Sequence, residues 1–116
     1  MQFAIRDSDR ACRELGLTGR VGIEKGSGDG ASRYDLIGDG VVVECKVAAV
    51  SSDLGQLDRY MRTLEREDPR TAEWRGRLVG YSPTRELVRA AKGRENIQVW
   101  RCRRGPDGEP RLEQLA

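Results

Sequence analysis

The chain has 116 residues and a formal net charge of +2, with 37% hydrophobic and 34% charged residues. This length and balance favour one small folded domain and argue against a disordered chain. No apolar stretch approaches the ~20 residues that cross a membrane, and the N-terminus lacks the apolar segment of a secretory signal. Histidine is absent, which excludes zinc–histidine sites and every mechanism that uses a histidine base.

The predicted elements follow one another in the order αβββαβαβ. They are a helix at 7–16, a strand at 20–25, a hairpin within 32–48, a helix from about 53 to 67, a strand at 77–81, a helix at 83–91 and a strand at 97–102. This order calls for a mixed sheet with helices on both faces, and thus an α/β fold. Residues 1–104 are predicted to form a single domain, and 105–116 a loose C-terminal tail.

The three cysteines are odd in number, far apart and without the spacing of a metal site: Cys12, Cys45 and Cys102. We therefore expect reduced, packed thiols in a cytoplasmic protein. Without histidine, catalysis has to use carboxylates, lysine, tyrosine or a hard metal ion. The weakly basic net charge permits nucleic-acid binding without demanding it.

Asp39 and Gly40 separate two β-rich runs, and Asp-Gly is a strong signal for a two-residue hairpin turn because both turn positions need φ > 0. If these two residues form the loop, Asp35 lies opposite Glu44. Because side chains alternate along a strand, Lys46 then shares their face. The opposite face carries the apolar side chains of a predicted core, namely Tyr34, Leu36, Val41, Val43, Cys45 and Val47. Two directly opposed carboxylates destabilise a sheet unless a cation lies between them, so the pattern predicts a site.

The alternative interpretation of Glu44 and Lys46 is a solvated charge pair on an edge strand. Two observations favour a site instead. The apolar run at 41–43 is typical of an interior strand, where charged side chains are costly without a purpose. Only three of the 21 basic residues are lysines, so Lys46 is not a generic surface choice.

Gln56 and Tyr60 are four residues apart and hence lie on one face of the second predicted helix. The connection from the Glu-x-Lys strand is short, so both polar ends can reach the predicted site. The alternative is a half-buried Tyr60 and a solvated Gln56. Arg59, Arg62 and Arg66 lie on a neighbouring helical face, as a solvated surface or as a stripe that faces phosphates.

The order and spacing of these motifs resemble the PD-(D/E)XK nuclease superfamily, and within it the catalytic domain of NucS-type (EndoMS) endonucleases. The matching segments are 14–17, 35–37, 41–46 and 56–60. Tyr34 stands where the superfamily often has a proline. The resemblance implies a restriction-endonuclease-like core, in which a mixed central sheet is flanked by helices.

The resemblance also implies an enzyme, a Mg²⁺-dependent endodeoxyribonuclease of DNA repair, with Mn²⁺ as a substitute cation. In that family role Asp35, Glu44 and the Cys45 backbone carbonyl hold the metal through hard oxygen ligands, and Glu14 adds a ligand directly or through water. Lys46 orients or helps to activate the attacking water and offsets charge on the phosphate.

Gln56 and Tyr60, in the same family role, position the metal shell, the nucleophile or the scissile phosphate. Together with Asp35, Glu44 and Lys46 they are the predicted catalytic residues.

NucS-type enzymes have a separate N-terminal domain for DNA binding and dimerisation, whereas the resemblance covers only a nuclease-like part, so mismatch preference is not carried over. The expected partner is DNA, with a partner domain or protein supplying specificity. A homodimer is expected because two-fold symmetry relates the two strands of a duplex. The alternatives are a virus-type replication-repair nuclease, a junction resolvase, a fragment of a longer protein, a catalytically silent nucleic-acid-binding module and an RNA-directed nuclease.

Overall fold

The computed structural model describes residues 1–19, 21–25, 34–68 and 73–116, excepting the side chains of 23–25, 34 and 35. Its elements are α1 (Gln2–Arg6), α2 (Asp9–Leu15), β1 (Gly22–Lys25), β2 (Tyr34–Gly38), β3 (Val41–Lys46), α3 (Ser52–Glu67), β4 (Arg75–Gly80), α4 (Arg85–Ala91), β5 (Ile97–Arg104) and β6 (Pro110–Gln114). The predicted order is confirmed and is extended by α1 at the start and β6 at the end. Within these ranges, no helix is long and apolar enough to cross a membrane.

The strands of the described ranges form one six-stranded mixed sheet, in the order β1-β2-β3-β4-β5-β6. β1, β2 and β3 are antiparallel neighbours, whereas β3, β4 and β5 are parallel. β6 returns antiparallel to β5. α3 and α4 connect the parallel strands, and they lie on the same face because two right-handed crossovers advance in one direction across the sheet.

Each face of the sheet has its own apolar core. The core under α3 and α4 includes Val42, Leu57, Leu78, Leu87 and Val99. The core under α1 and α2 includes Leu15, Leu36, Val41, Val43 and Val79. β3 contributes alternate side chains to both, as an interior strand does. This explains why its sequence is an almost continuous apolar run.

The predicted helix ends follow from local hydrogen bonding. Ser8 begins α2, since its hydroxyl accepts the N–H of Ala11 at 3.2 Å, and Gly16 ends it with a φ of +79°. Thr84 begins α4 in the same way, accepting the N–H of Leu87 at 3.2 Å. Serine and threonine satisfy free N–H groups at a helix start, and glycine tolerates the left-handed conformation at the end.

Arg77 is a buried cation that joins α2 to β4. Its Nε donates to the Leu15 carbonyl and its Nη1 to the Gly76 carbonyl, both at 3.1 Å. Burial, and then the neighbouring charge of Arg75, lowers the pKa of Arg77. The guanidinium thereby satisfies a carbonyl at the end of a helix, a position that favours positive charge.

The segment 105–116 is not the loose tail that the sequence predicts, because Pro110–Gln114 form β6. The N–H of Leu115 donates to the Val99 carbonyl at 2.8 Å, and the N–H of Val99 donates to the Ala116 carbonyl at 3.1 Å. Gly108 reverses the chain with a φ of +81°. An edge strand accepts a proline as its first residue, so Pro110 does not prevent the pairing.

Val47 is also placed differently from the prediction, which assigned it to the core. β3 ends at Lys46, and Val47 is 69% exposed. Alternation along a strand predicts a buried side chain only while the strand continues.

Candidate active site

The turn at Asp39 and Gly40 sets the register of the hairpin between β2 and β3. Gly40 has a φ of +75°, whereas Asp39 does not have the positive φ that the sequence predicts, since the described residues with positive φ are all glycines. The paired residues still place Asp35 directly opposite Glu44. The predicted register is therefore confirmed. Opposed residues of an antiparallel pair have Cβ atoms about 4.5–5.5 Å apart. The backbone thus brings two acidic positions together, although the side chain of Asp35 lies outside the described residues.

Glu44 is fully buried, with 0% of its surface exposed. Alternation along β3 places it on the same face as Val42, whose core lies under α3 and α4. Removing a carboxylate from water costs several kcal/mol unless the surroundings compensate for it. An acidic side chain kept in the middle of an interior strand is a feature of functional sites.

Lys46 is held at the end of β3 by a buried acidic side chain. Its Nζ donates to Oδ1 of Asp53 at 2.8 Å. Oδ2 of Asp53 accepts the Val50 N–H, also at 2.8 Å. The Asp53 side chain is only 1% exposed, against 28% for Lys46. The first turn of α3 therefore fixes the position of the ammonium group.

Sequence analysis missed this role of Asp53, treating it only as part of the residues that begin a helix. The available signal is its position, in the first turn of the helix that directly follows the Glu-x-Lys strand. A short connection after a strand brings that turn back toward the strand end. The partner of Lys46 was therefore open to prediction from topology.

Gln56 and Tyr60 lie on the side of α3 that carries Asp53, since the three residues follow the i, i+3, i+7 spacing of one helical face. The contact between Asp53 and Lys46 directs this face toward the end of β3. Both side chains are half-buried, and Tyr60 packs against the core under α3 and α4. Their catalytic roles stay predictions.

Glu14 is exposed in the last turn of α2. This helix packs on the face of the sheet opposite to the one that carries Glu44. The described contacts do not bring the two side chains together, and a ligand role for Glu14 stays a prediction. The Cys45 thiol belongs to the same opposite core, so only the backbone carbonyl of Cys45 remains relevant to the predicted metal site.

A further acidic position, Glu24, extends the pair into a row that sequence analysis missed. The paired residues of β1 and β2 place Glu24 opposite Asp35, and Asp35 lies opposite Glu44 on the next strand. Neighbouring strands are about 4.8 Å apart, so three acidic positions lie side by side. The prediction contained the strand at 20–25 but no register for it, and register is what reveals the row.

The chemistry of this acidic row suits a hard divalent cation, since carboxylate oxygens are the ligands that Mg²⁺ prefers. Among the side chains that the structure describes, no group of three or more His, Cys, Asp or Glu residues forms a metal-binding cluster. Glu44 is the one member of the acidic row whose side chain the structure describes. Carboxylates at these positions would suit Mg²⁺, and the backbone register places the three acidic positions side by side.

Comparison with known proteins identifies the fold of the chain. No protein-family model and no curated protein matches the chain. Its structure is similar to that of the apo form of EndoMS, with a TM-score of 0.61 and 24% identity. The match covers 84% of this chain and 42% of EndoMS, so the chain spans less than half of that protein. Topology and similarity together define an α/β protein with a restriction-endonuclease-like fold.

Proposed function

We propose that the protein is a metal-dependent endonuclease that hydrolyses phosphodiester bonds of DNA at the end of β3. The observation that carries the proposal is the register of β2 and β3, which sets Asp35 opposite the buried Glu44 with Lys46 two residues further on. The resemblance of the motifs to NucS-type endonucleases and the similarity of the fold to EndoMS support it.

The carboxylates of Asp35 and Glu44 would hold Mg²⁺ or Mn²⁺, with Glu24 as the adjacent acidic position. A bound divalent cation polarises the phosphate and lowers the pKa of water. Two opposed carboxylates repel one another, so the pair favours cation binding by its own charge. The burial of Glu44 strengthens that effect, because the surrounding core screens charge less than water does.

Lys46 would stabilise the negative charge that grows on the phosphate during attack. An ammonium group has three N–H donors. Among the described residues, Asp53 takes one of them. With 28% of its side chain exposed, Lys46 has donors that can reach a substrate. Gln56 and Tyr60, on the Asp53 side of α3, would position the water or the phosphate.

The test is a cleavage assay on labelled single-stranded, duplex, mismatched and branched DNA and on RNA, each with Mg²⁺, Mn²⁺ or EDTA. We expect metal-dependent cutting of DNA, reduced about 10²–10³-fold in Asp35→Asn and in Lys46→Ala, the loss that follows removal of a group that stabilises transition-state charge. Arg103→Ala, which removes an exposed cation from β5, is the control and should cut normally. Full activity in both site variants would refute the assignment.

The same assay separates the alternatives. Cutting of RNA and not of DNA would indicate an RNA-directed nuclease. Binding without cutting of any substrate would indicate a catalytically silent module on the same fold.

A further inference from the structure

A groove with a strongly positive lining lies beside the candidate active site. Arg85 and Arg89 of α4, Lys92 directly after this helix and Arg101 of β5 line it together with apolar side chains such as Val88, and none of the described lining residues is acidic. We propose that this α4 groove binds the sugar-phosphate backbone of DNA next to the cleaved bond. Its position relative to that bond rests on the proposed function, whereas the binding itself does not.

The charges of the α4 groove are available to a ligand. Arg85, Arg89 and Lys92 are exposed, and within the part of the chain that the structure describes they form no ion pair. Arg101 lies 3.6 Å from Glu113, whose side chain is 61% exposed. An exposed pair at this distance contributes little energy, so Arg101 can exchange it for a phosphate.

The register of the sheet relates the groove to the Glu-x-Lys strand. The paired residues of β3, β4 and β5 place Lys46, Gly80 and Arg101 in one row. Two strand spacings separate the outer residues, which is about 10 Å. The N–H of Thr84, which begins α4, donates to the Ala49 carbonyl at 3.1 Å. The start of α4 is thereby joined to the loop between Lys46 and Asp53.

All members of this row face the same side of the sheet. In parallel pairs, residues at the same level point to the same face, and the row at Leu78 and Val99 belongs to the core under α3 and α4. The row at Lys46 and Arg101 lies two residues further along and hence on that face too. On that face the loop after Lys46 covers Gly80, since a Cβ added to Gly80 would lie 3.2 Å from the Cβ of Ala49. A strand of DNA that contacts both cations therefore passes over this loop.

The chemistry of the groove selects a phosphate backbone. Arginine guanidinium groups bind phosphate oxygens through two parallel hydrogen bonds. At a rise of about 3.4 Å for each nucleotide of a strand, the ~10 Å from Lys46 to Arg101 corresponds to about three nucleotides. Apolar lining by Val88 and Leu115 suits the deoxyribose rings between the phosphates.

The arginine stripe of α3 provides the contrast. Arg59, Arg62 and Arg66 carry the same number of charges as the three lining residues in or next to α4, but Glu65 shares their surface. Their positions on the helix are opposite the buried stripe of Leu57 and its neighbours, so they point away from the sheet. This favours a solvated surface, and it makes the stripe a matched control.

The experiment compares two triple variants of the full chain. Arg85→Gln/Arg89→Gln/Lys92→Gln tests the α4 groove, and Arg59→Gln/Arg62→Gln/Arg66→Gln changes the net charge equally. Binding to a fluorescein-labelled 30-base-pair duplex is measured by anisotropy in EDTA, from 50 to 200 mM KCl. We expect the α4 variant to bind at least tenfold more weakly at 100 mM KCl, with a salt slope reduced by roughly 2–3, since each phosphate that the protein neutralises adds about 0.9 to the slope. The α3 variant should bind within about twofold of the unmodified chain.

Equal losses in the two triple variants, or no binding by the unmodified chain, would overturn the proposal. If the α4 triple variant fails to fold, the pair Arg85→Gln/Arg89→Gln replaces it, with Arg59→Gln/Arg62→Gln as its control. Because EDTA prevents cleavage, the result is independent of catalysis. Selective loss of binding in the α4 variant without cutting of any substrate by the unmodified chain would refute the endonuclease and retain the groove. Cutting by the unmodified chain, together with equal losses of binding in the two triple variants, would retain the endonuclease and refute the groove.

Discussion

At the scale of single residues, Asp53 joins the end of β3 to the first turn of α3 in the candidate site. One of its oxygens accepts from Lys46 and the other from the backbone N–H of Val50. A carboxylate with 1% exposure is stabilised by these charge-assisted hydrogen bonds, which are about twice as strong as neutral ones. We infer that Asp53 is a positioning residue, which acts through Lys46.

Asp53→Asn should lower the free energy of unfolding by about 1–3 kcal/mol, because the asparagine oxygen can still accept from Val50 while Lys46 loses its anionic partner. If cleavage is established, kcat should fall more than KM changes, since the ammonium group is misplaced rather than removed. Urea unfolding and steady-state cleavage are the measurements.

Asp107→Asn is the matched control for that prediction, because Asp107 also pairs with a cation, Arg111 at 3.0 Å, but is 54% exposed. Exposed pairs contribute little, so this variant should change stability by less than about 0.5 kcal/mol. Equal effects of the two substitutions would contradict a special role for the buried pair.

The close approach of β3 and β4 at their ends is a property of the elements, and it depends on Gly80. A Cβ atom added there would lie 2.9 Å from the Lys46 carbonyl oxygen and 3.2 Å from the Cβ of Ala49. The carbonyl belongs to the backbone, so it cannot move aside as a flexible side chain would. Gly80 thus allows the Glu-x-Lys strand, the loop after it and β4 to meet.

Gly80→Ala should therefore destabilise the fold by about 1–3 kcal/mol, as overpacking does, and should reduce any cleavage by displacing Lys46. Gly22→Ala is the control, since a Cβ added at Gly22 has no atom of the described residues within 4 Å. Urea unfolding of both variants tests the difference. A stable Gly80→Ala protein with an unchanged unfolding midpoint would show that β3 and β4 adjust without cost.

The elements also show where prediction from sequence succeeds. The Asp-Gly turn determined the register of β2 and β3 because a two-residue loop permits only one pairing. Asp107 and Gly108 offered a turn signal for β6 too, within the longer connection 105–109 between the paired residues Arg104 and Pro110. The prolines on either side nevertheless favoured the prediction of a loose tail. Turn residues thus carried more information than the composition around them.

The site was predicted less completely than the fold. Glu44 and Lys46 were predicted from local spacing. The alternation pattern alone assigned their face of the hairpin to charged residues. The burial of Glu44 depends on α3, which packs over that face. Asp53 and Glu24 depend on contacts between elements, namely the return of α3 to β3 and the register of β1. The local sequence pattern contains no information about the return of α3 or about the register of β1.

At the scale of the whole molecule, two separate cores share one sheet, and thiols lie in the core under α1 and α2. Cys102 is buried there, and Cys12 is half-buried at its edge. Burial raises the pKa of Cys102 above its ordinary value of 9.0, against a smaller lowering by the N-terminal amino group. Burial, followed by Asp9 and Asp7, likewise raises the pKa of Cys12.

These shifts predict a loss of stability at alkaline pH. Well below pH 9.0 both thiols are protonated in the folded and unfolded states, and they contribute no pH dependence. Above it, the unfolded chain releases thiol protons that the folded chain retains, so the free energy of unfolding falls as pH rises. Between pH 9 and 10 Cys102 should contribute at most about 1 kcal/mol, and Cys12 less because water reaches it.

Urea unfolding at several pH values from 7.5 to 10, under reducing conditions, measures this slope. Cys102→Ala should be less stable at every pH because it leaves a cavity, but its stability should decline less steeply above pH 9. Cys12→Ala should flatten the slope less. All other ionisable groups are common to the three proteins, so only the difference between slopes reports the thiols. Parallel slopes in all three proteins would show that the thiol pKa values do not differ between the folded and the unfolded chain.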